Sequence, residues 1–184
     1  MIDNFNPCLA FTIGPGPGPG GQEGGYTDDL NDPGGVTNFG VSTPAWSQYV
    51  GRPATPDDIR DLTRDLVLPF YKTRYWVASG CPILPAGIDL MVFDEAVNNG
   101  VRPAAMILQG ILQVKQDGIV GPQTALAARG YHDMPGLVRA LGAAFLARYQ
   151  SLPGWVRYGT DWQRRNDARM AAALAMLNNP GASK

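Results

Sequence analysis

The sequence predicts a mainly α-helical protein with one small β excursion, and three observations carry that prediction. Apolar residues recur at helical spacing through most of the chain, as at Ile59, Leu62 and Leu66. Proline, threonine and glycine stand at regular intervals where helices begin and end. Over residues 31–42, turn residues precede a short alternating run, which is typical of a β-hairpin or a small irregular lobe.

Local start and stop signals set the helix boundaries. The predicted starts are Thr43-Pro44, Thr55-Pro56, Pro69, Pro85 and Pro103, and the predicted ends include Gly51, Asn98 and Gly100. Pro69 should kink or restart the helical run that continues to Trp76. The run after Pro85 is apolar nearly all round, which predicts a helix buried on several sides. Residues 122–129, 136–150 and 161–178 complete the predicted set.

Composition excludes several function classes. The net charge of −1 creates no field that would attract nucleic acid or an anionic membrane. No apolar run approaches the roughly 20 residues of a membrane span, and the N-terminus lacks the basic region of a signal peptide. We therefore expect folding in the cytoplasm, with Cys8 and Cys81 reduced and buried.

The single histidine, His132, limits the possible chemistry further. It excludes a His-rich zinc site and the two-histidine motif of zinc peptidases. His132 lies in a predicted surface loop, which disfavours pairing with Cys81 as a nucleophile. We expect no metal and no cofactor. Carboxylates remain as the groups for hydrolytic work.

One acidic pair has the composition of a glycosidase site. Glu23 stands nine residues before Asp32, and Thr37 follows five residues later. Glycosidic hydrolysis needs an acid for the leaving oxygen and a second polar group that stabilises charge or positions water. Spacing alone leaves an alternative, a solvated turn in which Asp28, Asp29 and Asp32 bond to backbone N–H groups.

The longer string EGGYTDDLNDPGGVTNFGV, residues 23–41, resembles the signature of glycoside hydrolase family 108, a family of peptidoglycan muramidases. The segments Phe70–Trp76 and Leu84–Gly100 agree with it. The resemblance implies a lysozyme-like helical fold with Glu23 as the general acid and Asp32 and Thr37 as its catalytic partners. Its implied substrate-binding residues are Tyr26, Gly34, Gly35, Tyr75 and Asn98. The family usually has Asp-Pro after the tyrosine, where this chain has Asp28-Asp29-Leu30.

The second half of the chain resembles peptidoglycan-binding repeats around Asp117-Gly118 and Pro122. The alternative is two packed helices joined by a turn without a ligand. An aromatic and basic cluster follows, which could contact glycan or cap the last helix: Trp155, Arg157, Tyr158, Trp162, Arg164 and Arg165. We therefore expect residues 1–80 to form the catalytic region and residues 81–184 a helical peptidoglycan-binding region packed against it.

The resemblance also implies a biological setting. We expect an N-acetylmuramidase that acts as a monomer on peptidoglycan glycan strands, as a phage endolysin that a holin releases to the periplasm. A secretion-accessory muramidase, a lytic transglycosylase and a wall-binding module without catalysis are the alternatives. The Gly-Pro stretch of residues 14–21 should bulge outward as solvated, extended chain.

Overall fold

The structure of the chain, a computed structural model, describes residues 3–14, 25–27 and 35–178. Within these ranges the helices are α1 Phe5–Ile13, α2 Thr43–Val50, α3 Pro56–Arg60, α4 Arg64–Tyr71, α5 Ile88–Asn99, α6 Val101–Ile111, α7 Pro122–Arg129, α8 Met134–Gln150 and α9 Trp155–Asn178. A π-helical segment spans Lys72–Val77 and a 3-10 turn spans Cys81–Ile83. The strands are β1 Tyr26–Thr27, β2 Thr37–Asn38 and β3 Val41–Ser42. The prediction of a mainly α fold with a small β lobe is confirmed.

The chain divides into two compact units. Residues 9–74 form one, here called the sheet unit, and the residues before and after that range form the other, here called the helical unit. The helical unit is therefore discontinuous in sequence. The predicted functional division after residue 80 stays a prediction, and the predicted Gly-Pro bulge lies outside the described residues.

The sheet unit contains an antiparallel sheet in the order β1-β2-β3. Phe39 and Gly40 join β2 to β3 with positive φ angles of 50° and 70°, the conformation of a two-residue hairpin turn. The hairpin prediction is confirmed for residues 37–42. Strand β1 was not predicted, because its two residues carry no alternating pattern of their own.

Two helices of the sheet unit, α2 and α3, begin where the sequence places their caps, whereas α4 begins after an unpredicted break in the helical run. Ser42 caps α2, and Gly51 ends it in the left-handed region with φ 72°. Thr55 forms a capping box, with Pro56 in the first turn of α3. Pro69 neither ends α4 nor starts a new helix, since α4 runs through it into the π-helical segment.

Helix α5 forms the centre of the helical unit, in contact with α6, α8 and α9. Almost all its residues are buried, as the apolar run predicts. The rings of Phe5, Trp76 and Phe93 pack together with centroid separations of 5.6 to 6.1 Å. Trp76 is therefore a core residue of this unit.

Four predicted helix starts are wrong by two to six residues. Helix α5 begins at Ile88 rather than Pro85, because Gly87 at φ 81° interrupts the first turn. Helix α6 begins at Val101, two residues before Pro103, since the first turn of a helix tolerates proline. Helices α8 and α9 begin at Met134 and Trp155, before their apolar stripes. The boundaries of α7 are confirmed.

The expected environments of the sulfur and imidazole groups are confirmed. Cys8 and Cys81 are free and buried, and burial raises the pKa of both thiols well above the usual value. His132 is exposed between α7 and α8. Among the described residues, no group of three or more histidine, cysteine or acidic residues is arranged to hold a metal ion. No helix in the described ranges has the length and apolar character of a membrane span.

Candidate functional site

The three strands bring together the predicted site residues of the sheet unit that the structure describes. Thr37 lies directly opposite Thr27, and Tyr26 lies opposite Asn38. The hydroxyl oxygens of Thr27 and Thr37 are 2.6 Å apart, so one hydroxyl donates to the other. Gly35 is exposed just before β2, with φ 66°. Thr37 is thus held by a side-chain bond in addition to the backbone ladder.

Side chains alternate between the two faces of a strand, which separates the roles of neighbouring residues. Asn38 faces α3 and is 6% exposed. Its Nδ2 donates to the carbonyl oxygens of Ile59 at 3.0 Å, Arg60 at 3.1 Å and Leu62 at 3.3 Å. Thr37, the adjacent residue, points to the other face. Asn38 therefore anchors the strand that carries Thr37, a role that sequence reasoning missed because the partners follow more than twenty residues later.

Tyr26 is held by α3 as well, the helix that Asn38 faces. The Arg60 guanidinium lies over its ring, 5.6 Å from the centroid, and the hydrogen bond with Tyr26 is the main cause that raises the pKa of Arg60. Asp57 pairs with Arg60 in turn. The Tyr26 side chain remains 38% exposed. The Tyr26 side chain is therefore accessible to a sugar ring that binds to the sheet unit.

The other predicted site residues fall into two groups. Tyr75 is half-buried in the π-helical segment, and Asn98 is exposed in the last turn of α5, both in the helical unit. The Asn98 Nδ2 donates to the Asp94 carbonyl oxygen at 2.8 Å. Glu23, Asp32 and Gly34 lie outside the described residues. The roles given to all these residues remain predictions.

A buried cluster of charges lies beside Asn98. Asp94 accepts from Arg165 Nε at 3.1 Å and Nη2 at 2.8 Å, and from Arg169 Nη1 at 3.2 Å. Glu95 accepts from Arg169 at 3.0 Å and from the Tyr149 hydroxyl. Two acids thus face two arginines, and the cluster joins α5 to α9. Burial is the main cause that raises the pKa of Glu95, and the positive charge of Arg169 opposes it.

The turn at Asp117-Gly118 is built around one buried amide. Gln109 accepts from the Gly118 N–H at 2.8 Å and donates to Asp117 at 2.8 Å and to the Ile119 carbonyl oxygen at 3.0 Å. A groove of about 370 Å³ opens between this turn and the start of α7, and Lys115 lies along it. The groove is consistent with either interpretation of the repeat, as a wall-binding element or as a structural turn.

The rings of the aromatic and basic cluster at the start of α9 pack together at tilted angles. Trp162 packs against Tyr149, Trp155 and Tyr158 with centroid separations of 5.7, 6.4 and 5.9 Å. Arg157 lies over Tyr158 at 5.1 Å. Two of the three arginines in this cluster already have acidic partners. Arg164 pairs with Asp161 one turn away, and Arg165 pairs with the buried Asp94.

Comparison with known proteins finds a family model and a solved structure to which the chain is similar. Residues 20–100 match the model of the glycosyl hydrolase 108 family, a range that includes Glu23, Asp32, Thr37 and Asn98. The solved structure of Brucella abortus SagA is similar to this chain, with a TM-score of 0.80 and 29% sequence identity over 94% of this chain and 92% of that one. No curated protein sequence matches the chain. Residues 20–100 are therefore similar to glycosyl hydrolase family 108, a family of peptidoglycan hydrolases.

Proposed function

We propose that the protein is an N-acetylmuramidase, which hydrolyses the β-1,4 bond between N-acetylmuramic acid and N-acetylglucosamine. The observation that carries this proposal is the family match over residues 20–100, which includes the whole signature of residues 23–41. The sheet is consistent with it, since β2 holds Thr37 of that signature in a hydrogen bond with Thr27 at 2.6 Å. No cofactor enters the reaction.

In the proposed mechanism Glu23 protonates the glycosidic oxygen as the sugar–oxygen bond breaks. Asp32 stabilises the developing positive charge or takes a proton from the attacking water. Thr37 positions that water, because its hydroxyl can donate or accept while it remains bonded to Thr27 at 2.6 Å. Inversion at the anomeric carbon requires a water beside the second carboxylate. The small Thr37 hydroxyl can hold such a water, which favours inversion. Tyr26, Gly34, Gly35, Tyr75 and Asn98 contact the sugars.

The test of the reaction compares Glu23→Gln with Asp65→Asn on purified peptidoglycan. Asp65 is exposed in the first turn of α4 and serves as the matched carboxylate-to-amide control. Loss of the general acid should reduce the hydrolysis rate by about 10²–10⁴-fold, and the control should keep the wild-type rate. Full activity of Glu23→Gln would remove Glu23 from the mechanism.

Product chemistry separates the alternatives. A muramidase leaves reducing muramic acid ends, whereas a lytic transglycosylase leaves 1,6-anhydro ends. A wall-binding module releases neither. Treatment with EDTA should leave the rate unchanged, because the proposed chemistry uses no metal. Light scattering tests the proposed monomer.

We also propose that the chain serves as a phage endolysin, with a holin for release and with residues 81–184 as its wall-binding region. Lysis of expressing cells should then depend on a co-expressed holin, whereas holin-independent export would favour the secretion-accessory role. Wall binding is tested with the inactive Glu23→Gln chain on purified sacculi. Lys115→Glu, which reverses a charge in the groove of the Asp117 turn, should weaken that binding, and the exposed Arg139→Glu should not.

A further inference from the structure

A small cavity lies in the helical unit, between the end of α5, the end of α8 and the first turns of α9. Its volume is about 60 Å³. Six residues line it: Asn98, Asn99, Tyr149, Leu152, Trp162 and Arg165. Asn98 is exposed, so the cavity has an edge at the surface of the unit.

The polar wall of the cavity is held in a fixed orientation. Arg165 is bonded to Asp94 through two of its nitrogens, at 2.8 and 3.1 Å. Asn98 donates to the carbonyl oxygen of the same Asp94, and Tyr149 donates its hydroxyl to Glu95. A polar group whose geometry is set in advance loses little entropy when a ligand binds to it.

The apolar part of the lining, here called the apolar wall, is also fixed. The Trp162 ring packs on Tyr149, with centroids 5.7 Å apart. A Cβ at Gly154 would lie 2.8 Å from the Trp162 ring, so the glycine gives the indole the space it occupies. Leu152 completes this wall. The cavity lining therefore combines carboxamide and guanidinium groups with aliphatic and aromatic carbon.

Size and chemistry together select a ligand group. A water-sized atom occupies about 10–15 Å³ by this measure, so the cavity has room for about four such atoms. An acetamido group has a carbonyl carbon and oxygen, a nitrogen and a methyl carbon. Its amide edge would bond to the polar wall, and its methyl group would lie against Leu152 and Trp162.

We propose that this cavity is the recognition pocket for the N-acetyl group of an amino sugar. The inference rests on the proposed function, since both sugars of peptidoglycan carry that group. Asn99, Leu152, Trp162 and Arg165 then become specificity-determining residues, with Asp94 as the positioning residue for Arg165. Water alone is the competing occupant.

The experiment compares two substrates and three variants. Wild type is assayed on native peptidoglycan and on the same material after chemical N-deacetylation. Asn99→Phe and Leu152→Phe each fill the cavity from a different wall, so one remains informative if the other does not fold. Gln150→Phe, exposed at the end of α8, adds the same ring outside the cavity. Circular dichroism checks folding.

We expect wild type to prefer the acetylated substrate by at least about tenfold in kcat/KM, as for a pocket that loses both bonds and contact area. Both filling variants should reduce that preference by about fivefold or more, mainly through activity on native peptidoglycan, and Gln150→Phe should retain it. An unchanged preference in a folded filling variant would overturn the pocket and favour water as its occupant.

A binding measurement separates this proposal from the proposed function. Calorimetric titration of wild type with N-acetylglucosamine trisaccharide and glucosamine trisaccharide needs no hydrolysis. Wild type should bind the acetylated trisaccharide preferentially, and Asn99→Phe or Leu152→Phe should abolish that preference. This result supports the pocket even if the chain cleaves no peptidoglycan. Cleavage of peptidoglycan by a wild type that binds both trisaccharides equally would refute the pocket and leave the hydrolase proposal standing.

Discussion

Replacement of Asn38 by aspartate should lower the free energy of unfolding of the sheet unit. The loss should exceed that of the same amide-to-carboxylate change at an exposed position. The Asn38 Nδ2 faces three carbonyl oxygens at 3.0 to 3.3 Å, and two of these bonds are buried. Asn38→Ala removes all three bonds; the Ile59 carbonyl oxygen still accepts from the Leu62 N–H at 3.3 Å, so the main cost is the buried Leu62 carbonyl group, at about 1–3 kcal/mol. Asn38→Asp places a carboxylate against the same oxygens and should cost more than alanine.

The aspartate variant should also become pH-dependent in a specific direction. Carbonyl oxygens repel the charged form, so the folded pKa of the introduced carboxyl group should exceed its unfolded value of about 3.9. The folded state then binds more protons than the unfolded state between those two values, and stability should fall as the pH rises through that window. Protonation at low pH should restore part of the stability, because the neutral acid donates one hydrogen bond.

Urea unfolding followed by circular dichroism near pH 4 and near pH 7 measures both effects. Gln123→Glu is the control, since it makes the same amide-to-carboxylate change at an exposed position in the first turn of α7. It should shift stability by less than about 1 kcal/mol. Wild-type stability of Asn38→Asp at neutral pH would contradict the anchoring role. Activity should fall with the same variant, because Asn38 fixes the strand of Thr37.

Three further predictions test other parts of the structure by urea unfolding. Asp94→Asn weakens two buried ion pairs, with Arg165 and Arg169, and should cost about 3–5 kcal/mol, whereas Asp161→Asn breaks the exposed pair with Arg164 and should cost less than about 1 kcal/mol; equal effects would refute the importance of burial. Burial raises the pKa of Asp89 to about 6 in the folded state, above the unfolded value of about 3.9, so stability should fall by about 3 kcal/mol between about pH 4 and pH 6. Asp89→Asn should remove that slope, and a slope that persists would show that another group causes it. Gly80→Ala, whose Cβ would lie 2.5 Å from the Val120 carbonyl oxygen, should be far more destabilising than Gly51→Ala, whose Cβ meets nothing within 4 Å; the latter should cost about 1–2 kcal/mol through backbone strain alone.

Much of the helical architecture could be predicted because its signals are local. Pro56 and Pro122 start α3 and α7 at the predicted residues, since a cap and a proline act within one turn. Helix α9 starts six residues before its predicted boundary. Its first turns carry Trp155 and Tyr158, which pack on other rings of the same cluster rather than on a periodic stripe. The first turns of α9 therefore carry no apolar periodicity that would predict a helix.

The parts of the site that sequence reasoning missed depend on distant partners. The run of α5 reads as apolar nearly all round, yet Asp94 and Glu95 are buried in it. The arginines that neutralise them follow more than seventy residues later on α9. Asn38 likewise looks like an ordinary strand residue until α3 is placed beside it. Pairings at such separations leave no local pattern to read.

The discontinuous helical unit has a consequence for the order of folding during synthesis. Asn4 donates to Asp89 at 2.8 Å across 85 residues of chain, and Phe5 packs against Trp76 and Phe93. At about 5–20 residues per second, the segment of Asn4 and Phe5 waits about 4–17 s after its own synthesis for these partners to be made. Until then its apolar residues remain exposed to other chains and to chaperones. Asn4 and Phe5 thus reach their native neighbours only after about 85 further residues are made, and slower translation would lengthen that vulnerable interval.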